Sequence, residues 1–479
     1  MASRQYDVIV IGGGPAGENV AARAVKGGLS AVVVEAELVG GECSYWACVP
    51  SKALLRPLHA LAAARSVAGA RQAVTGSLDI DAVFARRDDF AAHWDDAGQL
   101  EWLRDNKIDF VRGHGRLAGE RRVTVSAADG STVADLTARH AVAVCTGSRA
   151  AFPPIPGLKE LRPWTSREAT SARHAPRRLA ILGGGVVGCE MATAWRQLGS
   201  EHVAIIQRGP RLLSGFEAFA ATALAEAFAH AGIRVLTNAS TVRAERAADG
   251  TARLALASGD SIEADQILVA TGREPRTDDL GLASIGLRDG TWLEVDDSLR
   301  VRGVSSGWLY AAGDVNHRVL LTHMGKYQAR ACGDAIAARA ADNADAVEPA
   351  PWTAWAATAD AAAVPQVIFT APEIAAIGLT EQQARERGMR VRAVEYDLGR
   401  VAGAKLYADA YTGRAQIVVD EARRVIVGAT FVGPDVGELL HAATIAVVAA
   451  VPLERLWHAV PSYPTMSEVW LRLLEAYGL

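Results

Sequence analysis

Two cysteines, Cys43 and Cys48, stand five positions apart in the segment Gly40-Gly41-Glu42-Cys43-Ser44-Tyr45-Trp46-Ala47-Cys48-Val49-Pro50-Ser51-Lys52. At the start of a distorted helix that spacing can bring two sulfurs into bonding range, and a helix N-terminus favours the thiolate, the form that attacks a disulfide. The chemistry on offer is reversible dithiol–disulfide exchange. A structural metal fits poorly, because the spacing is not the CxxC of a zinc knuckle and no second Cys or His pair stands at ligand spacing. The other cysteines, Cys145, Cys189 and Cys332, lie in apolar or small-residue runs and read as packing thiols.

The elements that must position the pair begin at the N-terminus. An apolar run from Tyr6 to Ile11 meets Gly12-Gly13-Gly14-Pro15-Ala16-Gly17, and a helical stretch follows to about Gly27. In this strand–turn–helix pattern Gly12 permits the tight turn, Gly14 lets backbone approach a pyrophosphate, and Gly17 allows close helix–strand packing. The next apolar run, Ala31 to Val34, ends at Glu35, where a carboxylate accepts hydrogen bonds from a ribose.

A second copy follows: the strand Leu179 to Leu182, the turn Gly183-Gly184-Gly185-Val186-Val187-Gly188, a helix to Leu198 and a strand Val203 to Ile206. Two dinucleotide sites imply two redox cofactors, and a thiol pair just beyond the first reads as redox-active beside a flavin. In the second copy the position of the ribose-binding acid is Gln207, followed by Arg208 and by Arg211. A carboxylate there would repel a 2′-phosphate, whereas a guanidinium pairs with it, so NADPH is expected over NADH, with NADH possible. The alternative for the two arginines is a solvated surface charge.

The remaining composition narrows the class. A chain of 479 residues predicts two to four domains; half of it is hydrophobic, and the net charge of -4, with both signs mixed, argues against a nucleic-acid partner. No cleavable signal pattern precedes the first strand and no apolar stretch is long enough to span a bilayer, so no membrane partner is expected. The stretch Ala442 to Val451 reads as a buried helix. Only five cysteines exclude a disulfide scaffold and point to the cytoplasm.

Together these residues resemble the flavoprotein pyridine nucleotide-disulfide oxidoreductases, the group of dihydrolipoamide dehydrogenase, glutathione reductase and mercuric reductase. The resemblance runs over nearly the whole chain and includes Cys145-Thr146-Gly147-Ser148, Ala270-Thr271-Gly272-Arg273, Leu309-Tyr310-Ala311-Ala312-Gly313-Asp314, Leu321-Thr322-His323, Phe369 to Ala375 and Pro464 to Glu468. It implies an α/β fold with two Rossmann-like domains and a C-terminal α+β dimerisation domain. The FAD domain would span 1–150 and 273–348, the NAD(P) domain 151–272, and the interface domain 349–479, with Ala341 to Ala363 a linker or insertion. Strands are expected at Gln366 to Thr370, Ala415 to Val419 and Val425 to Val432. A homodimer follows, because the C-terminal motif acts on a neighbour's cysteines.

Residue by residue, the resemblance implies that Gly12, Gly14, Gly17 and Glu35 bind the ADP half of FAD and that Asp314 holds the ribityl chain. Thr146, Gly147, Gly272, Arg273 and Gly313 join the cofactor-binding set, and Gly183, Gly185, Gly188, Gln207 and Arg208 form the nicotinamide-nucleotide site. Lys52 would lie near flavin N5 and pair with Glu190. Cys48 corresponds to the thiol stacked on the flavin and Cys43 to the interchange thiol that attacks substrate.

One departure is large. The family's His-Pro-Thr-x-x-Glu motif here reads Tyr463-Pro464-Thr465-Met466-Ser467-Glu468, so the acid–base imidazole is replaced by a phenol while Glu468 is retained. Histidine near pKa about 6.5 both takes and gives a proton at neutrality, whereas tyrosine near about 10 mainly donates a hydrogen bond. Substrates with an acidic leaving thiol, or acceptors needing no thiol protonation, are therefore expected. The first reading is a small activated or specialised disulfide; the alternative is a flavin reductase or diaphorase acting on a quinone, a metal ion or oxygen. No cysteine follows Cys332, which separates the chain from mercuric reductases and large thioredoxin reductases that use C-terminal thiols. Tyr45 and Trp46 form either an aromatic wall at the interchange thiol or part of the core, and Trp352, Trp355, Trp457 and Trp470 leave the same choice at the interface.

Overall fold

The structure, a computed structural model, describes residues 4–342 and 349–479. Of the expected linker 341–363, residues 343–348 lie outside the described residues. The chain forms two compact units, one of residues 1–50, 88–151 and 273–361, the other of 51–87, 152–272 and 362–479.

In the first unit the apolar runs become a seven-stranded sheet. Asp109–Arg112, Ala31–Glu35, Arg4–Ile11 and Thr132–Val144 lie parallel in that order, Leu309–Ala311 pairs parallel with Thr132–Val144, and Arg122–Ser126 and His114–Leu117 continue antiparallel. Side-chain alternation divides Arg4–Ile11 between two cores. Val8 and Val10 pack with Val20 and Ala24 of the helix Pro15–Lys26 and with Ala329 and Ile336 of the helix Thr322–Asp342, while Ile9 and Ile11 pack with Leu280, Leu282 and Leu309 on the other face.

The second unit holds a parallel sheet in the order Ile233–Leu236, His202–Ile206, Arg178–Leu182, Gln266–Val269, a three-stranded antiparallel sheet between Thr241 and Ala264, and a five-stranded antiparallel sheet. The last has the order Pro365–Ile368, Glu373–Gly378, Val425–Gly433, Arg414–Asp420, Val391–Asp397, and it packs against the helices Leu440–Val448 and Val469–Tyr477. The strands expected from sequence at 366–370, 415–419 and 425–432 correspond to the first, fourth and third of these. The helix expected to be buried at 442–451 spans Leu440–Val448 and is only half so. Leu440, Ala443 and Ala446 face the core, while Ile445 and Val448 are 56% and 38% exposed. A mostly apolar helix laid on one sheet face buries a single stripe, and the opposite stripe stays open on the single chain. No helix among the described residues is long and apolar enough to cross a membrane.

Candidate active site

The two glycine turns are built alike. At the first, Gly12 has φ +103° and a Cβ there would lie 2.4 Å from the Cys145 carbonyl oxygen; at Gly17 it would lie 1.9 Å from the Gly12 carbonyl. Any side chain would push strand and helix apart. Gly183 and Gly188 repeat both contacts, against the carbonyls of Ala270 and Gly183. The middle glycines differ in kind: the space beside Gly185 is open to 4 Å, and Gly14 meets only Gly41 Cα at 3.9 Å. Open backbone at the start of a helix, in both turns, fits the phosphates of a dinucleotide.

The ends of the second strands also correspond. Glu35 Oε2 accepts the Gly13 N–H at 2.6 Å and Oε1 accepts the Glu37 N–H at 2.7 Å. Burial raises the Glu35 carboxyl above its ordinary value, and the two backbone donors oppose that rise. Gln207 Oε1 accepts the Gly184 N–H at 2.9 Å, so an amide stands where the first turn has a carboxylate. Arg208 is exposed, whereas Arg211 is spent on the backbone, donating to the carbonyls of Leu213, Ser214 and Phe216. Of the two guanidiniums expected to meet a 2′-phosphate, Arg208 is the one at hand.

Within the first unit a second set of predicted residues converges. Ser148 donates to Asp314 Oδ2 at 2.5 Å and accepts from Arg273 Nε at 2.5 Å, and Arg273 Nε lies 3.6 Å from the same carboxylate oxygen. Gly147 and Gly313 carry φ of +72° and +83°; Gly272, which belongs to the second unit, carries +149°. Thr146 Oγ1 is buried with no hydrogen-bond partner. An orphaned hydroxyl beside the Gly12 turn suits a polar ligand such as the flavin nucleotide.

Cys43 lies in a short helix, Gly41–Tyr45, and Cys48 is the first residue of the helix Cys48–Arg65. Both are free thiols and partly exposed, and their side chains hydrogen-bond to each other. Cys48 Sγ and Thr322 Oγ1 share a further hydrogen bond at 3.2 Å. The sequence argument expected a lowered thiol pKa. In this two-thiol form Cys43 is instead raised, first by its hydrogen bond to Cys48 and then by burial. Cys145 and Cys189 are buried, and burial pushes the Cys145 thiol up to about 12. Tyr45 joins the core at 2% exposure, its hydroxyl donating to the Val39 carbonyl, while Trp46 is half-buried.

In the second unit Lys52 Nζ donates to Glu190 Oε2 at 2.7 Å. Glu190 Oε1 accepts the Phe369 N–H at 3.0 Å, and the Phe369 ring centroid is 5.0 Å from Lys52 Nζ. Tyr463 is 77% exposed. Glu468 is buried, its Oε1 held by Arg472 at 2.5 Å and its Oε2 without a hydrogen-bond partner. Residue typing passed over Ser148, Thr322 and Phe369. All three stand inside stretches that resemble the family, and that adjacency was the available signal.

Two glycine turns on parallel strands, a dithiol and a lysine–carboxylate pair define a two-nucleotide flavoprotein that works through a thiol pair. The family described as pyridine nucleotide-disulphide oxidoreductase matches residues 6–329, and its dimerisation domain matches residues 364–473. The chain belongs to that family and is an FAD-dependent pyridine nucleotide-disulphide oxidoreductase, with tyrosine in place of the C-terminal histidine. It is 32% identical over 473 residues to dihydrolipoyl dehydrogenase 3 of Pseudomonas aeruginosa, covering 97% of this chain and 96% of the other. It is 30% identical over 467 residues to mercuric reductase of Staphylococcus aureus, covering 97% and 81%. The structure of LpdA from Mycobacterium tuberculosis superposes with a TM-score of 0.82 at 25% identity over 99% of this chain and 100% of the other. That of the HOCl-induced flavoprotein disulfide reductase RclA from Escherichia coli, a Cu(II) complex, shares the fold, with a TM-score of 0.83 at 22% identity over 99% of each chain.

Proposed function

We propose that this enzyme passes electrons from NADPH through FAD to the Cys43–Cys48 pair and on to a small, activated or specialised disulfide. The observation that carries the reading is the Cys43–Cys48–Thr322 cluster combined with Tyr463 at the acid–base position. Bound FAD would supply hydride acceptance from the nicotinamide and two-electron reduction of the protein disulfide. Gly12, Gly14, Gly17, Glu35 and Thr146 would hold its nucleotide end, and Gly147, Gly272, Gly313 and the Ser148–Arg273–Asp314 cluster its ribityl side. Gly183, Gly185, Gly188, Gln207 and Arg208 would hold NADPH, and Lys52, restrained by Glu190, would place a positive charge where reduction accumulates negative charge. This assigns the FAD domain to 1–150 and 273–348, the NAD(P) domain to 151–272 and the dimer interface to 349–479, in a cytoplasmic homodimer.

In the half-reaction that oxidises the dithiol and reduces the substrate, Cys43 releases its proton to water and attacks one sulfur of the substrate disulfide; the sulfur–sulfur bond breaks, a mixed disulfide forms and the first substrate thiolate leaves. Cys48 then attacks Cys43, the second thiolate leaves and the protein disulfide is restored. Thr322 donates to the Cys48 sulfur while it carries charge. Tyr463 and Glu468 of the neighbouring subunit would approach this centre, and a phenol donates a hydrogen bond without cycling a proton at neutral pH. Leaving thiolates of low basicity suit such a site. The same loss of imidazole favours the second reading, electron delivery to a quinone, a metal ion or oxygen. Cys43→Ser separates the two: disulfide turnover should vanish if the first holds, and undiminished turnover of a disulfide by that variant would sink it.

A further inference from the structure

The second unit contains a half-open cavity of about 880 Å³. It lies between the helices Cys48–Arg65 and Ala218–His230 and the loops at one end of the five-stranded sheet. Its lining residues belong to neither glycine turn and to neither thiol. One wall, Thr370 to Glu373, is the chain that follows Phe369, whose N–H donates to Glu190.

The lining combines apolar and charged surface. Ala62, Ala63, Ala223, Ala227, Pro372 and Val432 supply small apolar surface, and the volume is that of a small-molecule site. Three carboxylates, Glu226, Glu373 and Asp435, also face it. The wall's guanidinium, Arg414, is committed elsewhere: it pairs with Glu395 and lies 4.7 Å from the Phe219 ring centroid. Glu373 takes His59 Nδ1 at 3.5 Å, and His230 Nδ1 meets the Glu226 backbone carbonyl at 2.8 Å. Asp435 accepts the Tyr407 hydroxyl, and neither it nor Glu226 has a cationic partner among the described residues.

We propose that this cavity binds an amphipathic organic cation, an aromatic or branched aliphatic body carrying an ammonium group. The body displaces water from the alanine-lined interior. The ammonium forms charge-assisted hydrogen bonds with the carboxylates of the lining, Asp435 beside the Tyr407 ring and Glu226. An anion of the same shape meets three carboxylates and is rejected.

The test is calorimetric titration of the full-length, FAD-loaded protein with 2-naphthylmethylamine, and with 2-naphthalenemethanol and 2-naphthoate as isosteric charge controls. The amine should bind at least about tenfold more tightly than the alcohol, and the carboxylate weakest of the three. Asp435→Asn should weaken the amine about tenfold and leave the alcohol unchanged. Ala63→Phe, or Ala223→Phe should the first not fold, should fill the cavity and abolish binding of the amine. Equal affinity for amine and alcohol, tightest binding of the carboxylate, no binding by any probe, or amine binding that survives the phenylalanine would each overturn the proposal.

Discussion

Lys52 and Glu190, 138 positions apart, meet in a 2.7 Å ion pair whose carboxylate also accepts the Phe369 N–H. Glu190 is 3% exposed and Lys52 is partly open to solvent, so the carboxylate holds the arrangement and the ammonium is the adjustable partner. Glu190→Ala removes both acceptors and leaves a partly buried N–H without its partner. Expected destabilisation is about 2–4 kcal/mol, reduced from fully buried cases because water screens Lys52. Glu190→Gln keeps an acceptor for Phe369 and should lose roughly half as much. Urea unfolding of both variants checks this; an alanine variant as stable as the parent would show that the pair restrains nothing.

Coenzyme choice should turn on Gln207. Its Oε1 takes the Gly184 N–H as Glu35 takes that of Gly13, so Gln207→Glu preserves the hydrogen bond and adds the charge that a 2′-phosphate avoids. The ratio of kcat/KM for NADPH over NADH should fall by about 10- to 100-fold. Arg208→Ala should lower kcat/KM for NADPH alone, by about tenfold. Equal losses with both coenzymes would assign Arg208 no part in discrimination.

Tyr463→His restores an imidazole at a position that is exposed on the single chain. Turnover of alkyl disulfides should rise by about 10- to 100-fold, with a new pH dependence near neutrality, because the leaving thiolate then finds a proton donor. Turnover of an activated aromatic disulfide should change little. A correctly folded variant with no gain on the alkyl substrate would remove the link between Tyr463 and leaving-group acidity.

Glu18, in the first turn of the helix after Gly17, is buried with Oε1 unpartnered, and burial pushes its carboxyl up to about 7 although the Lys326 charge opposes the shift. An unfolded glutamate ionises near about 4.3. Between these values the folded state holds the proton that the unfolded state has released, so stability falls as pH rises through this window and the full cost is present above about pH 7. Glu18→Gln removes that cost. It should be about 2–3 kcal/mol more stable than the parent at pH 8 and nearly equal to it at pH 4.5, by urea unfolding at both pH values. A variant less stable at pH 8 would mean that the carboxylate is stabilised in place.

Both glycine turns, the strands that feed them, Glu35, Gln207 and the tyrosine at the C-terminal motif were legible in the linear chain, because each depends on neighbours a few to about twenty positions away. A φ of +103° at Gly12 and a helix packed against its carbonyl admit no side chain, so sterics write those residues into the sequence. The cysteine segment was legible as chemistry but not in its proton state, since Cys43 is governed by its packing against Cys48. Thr322, 274 positions from Cys48, Ser148 between Arg273 and Asp314, and the Phe369 N–H on Glu190 could be located only after folding. So could the open stripe of Leu440–Val448 and the carboxylate-rimmed cavity. Turn geometry is imposed by atoms a few bonds apart, whereas which hydroxyl meets which thiol depends on how whole faces pack, and that is decided by the tertiary structure.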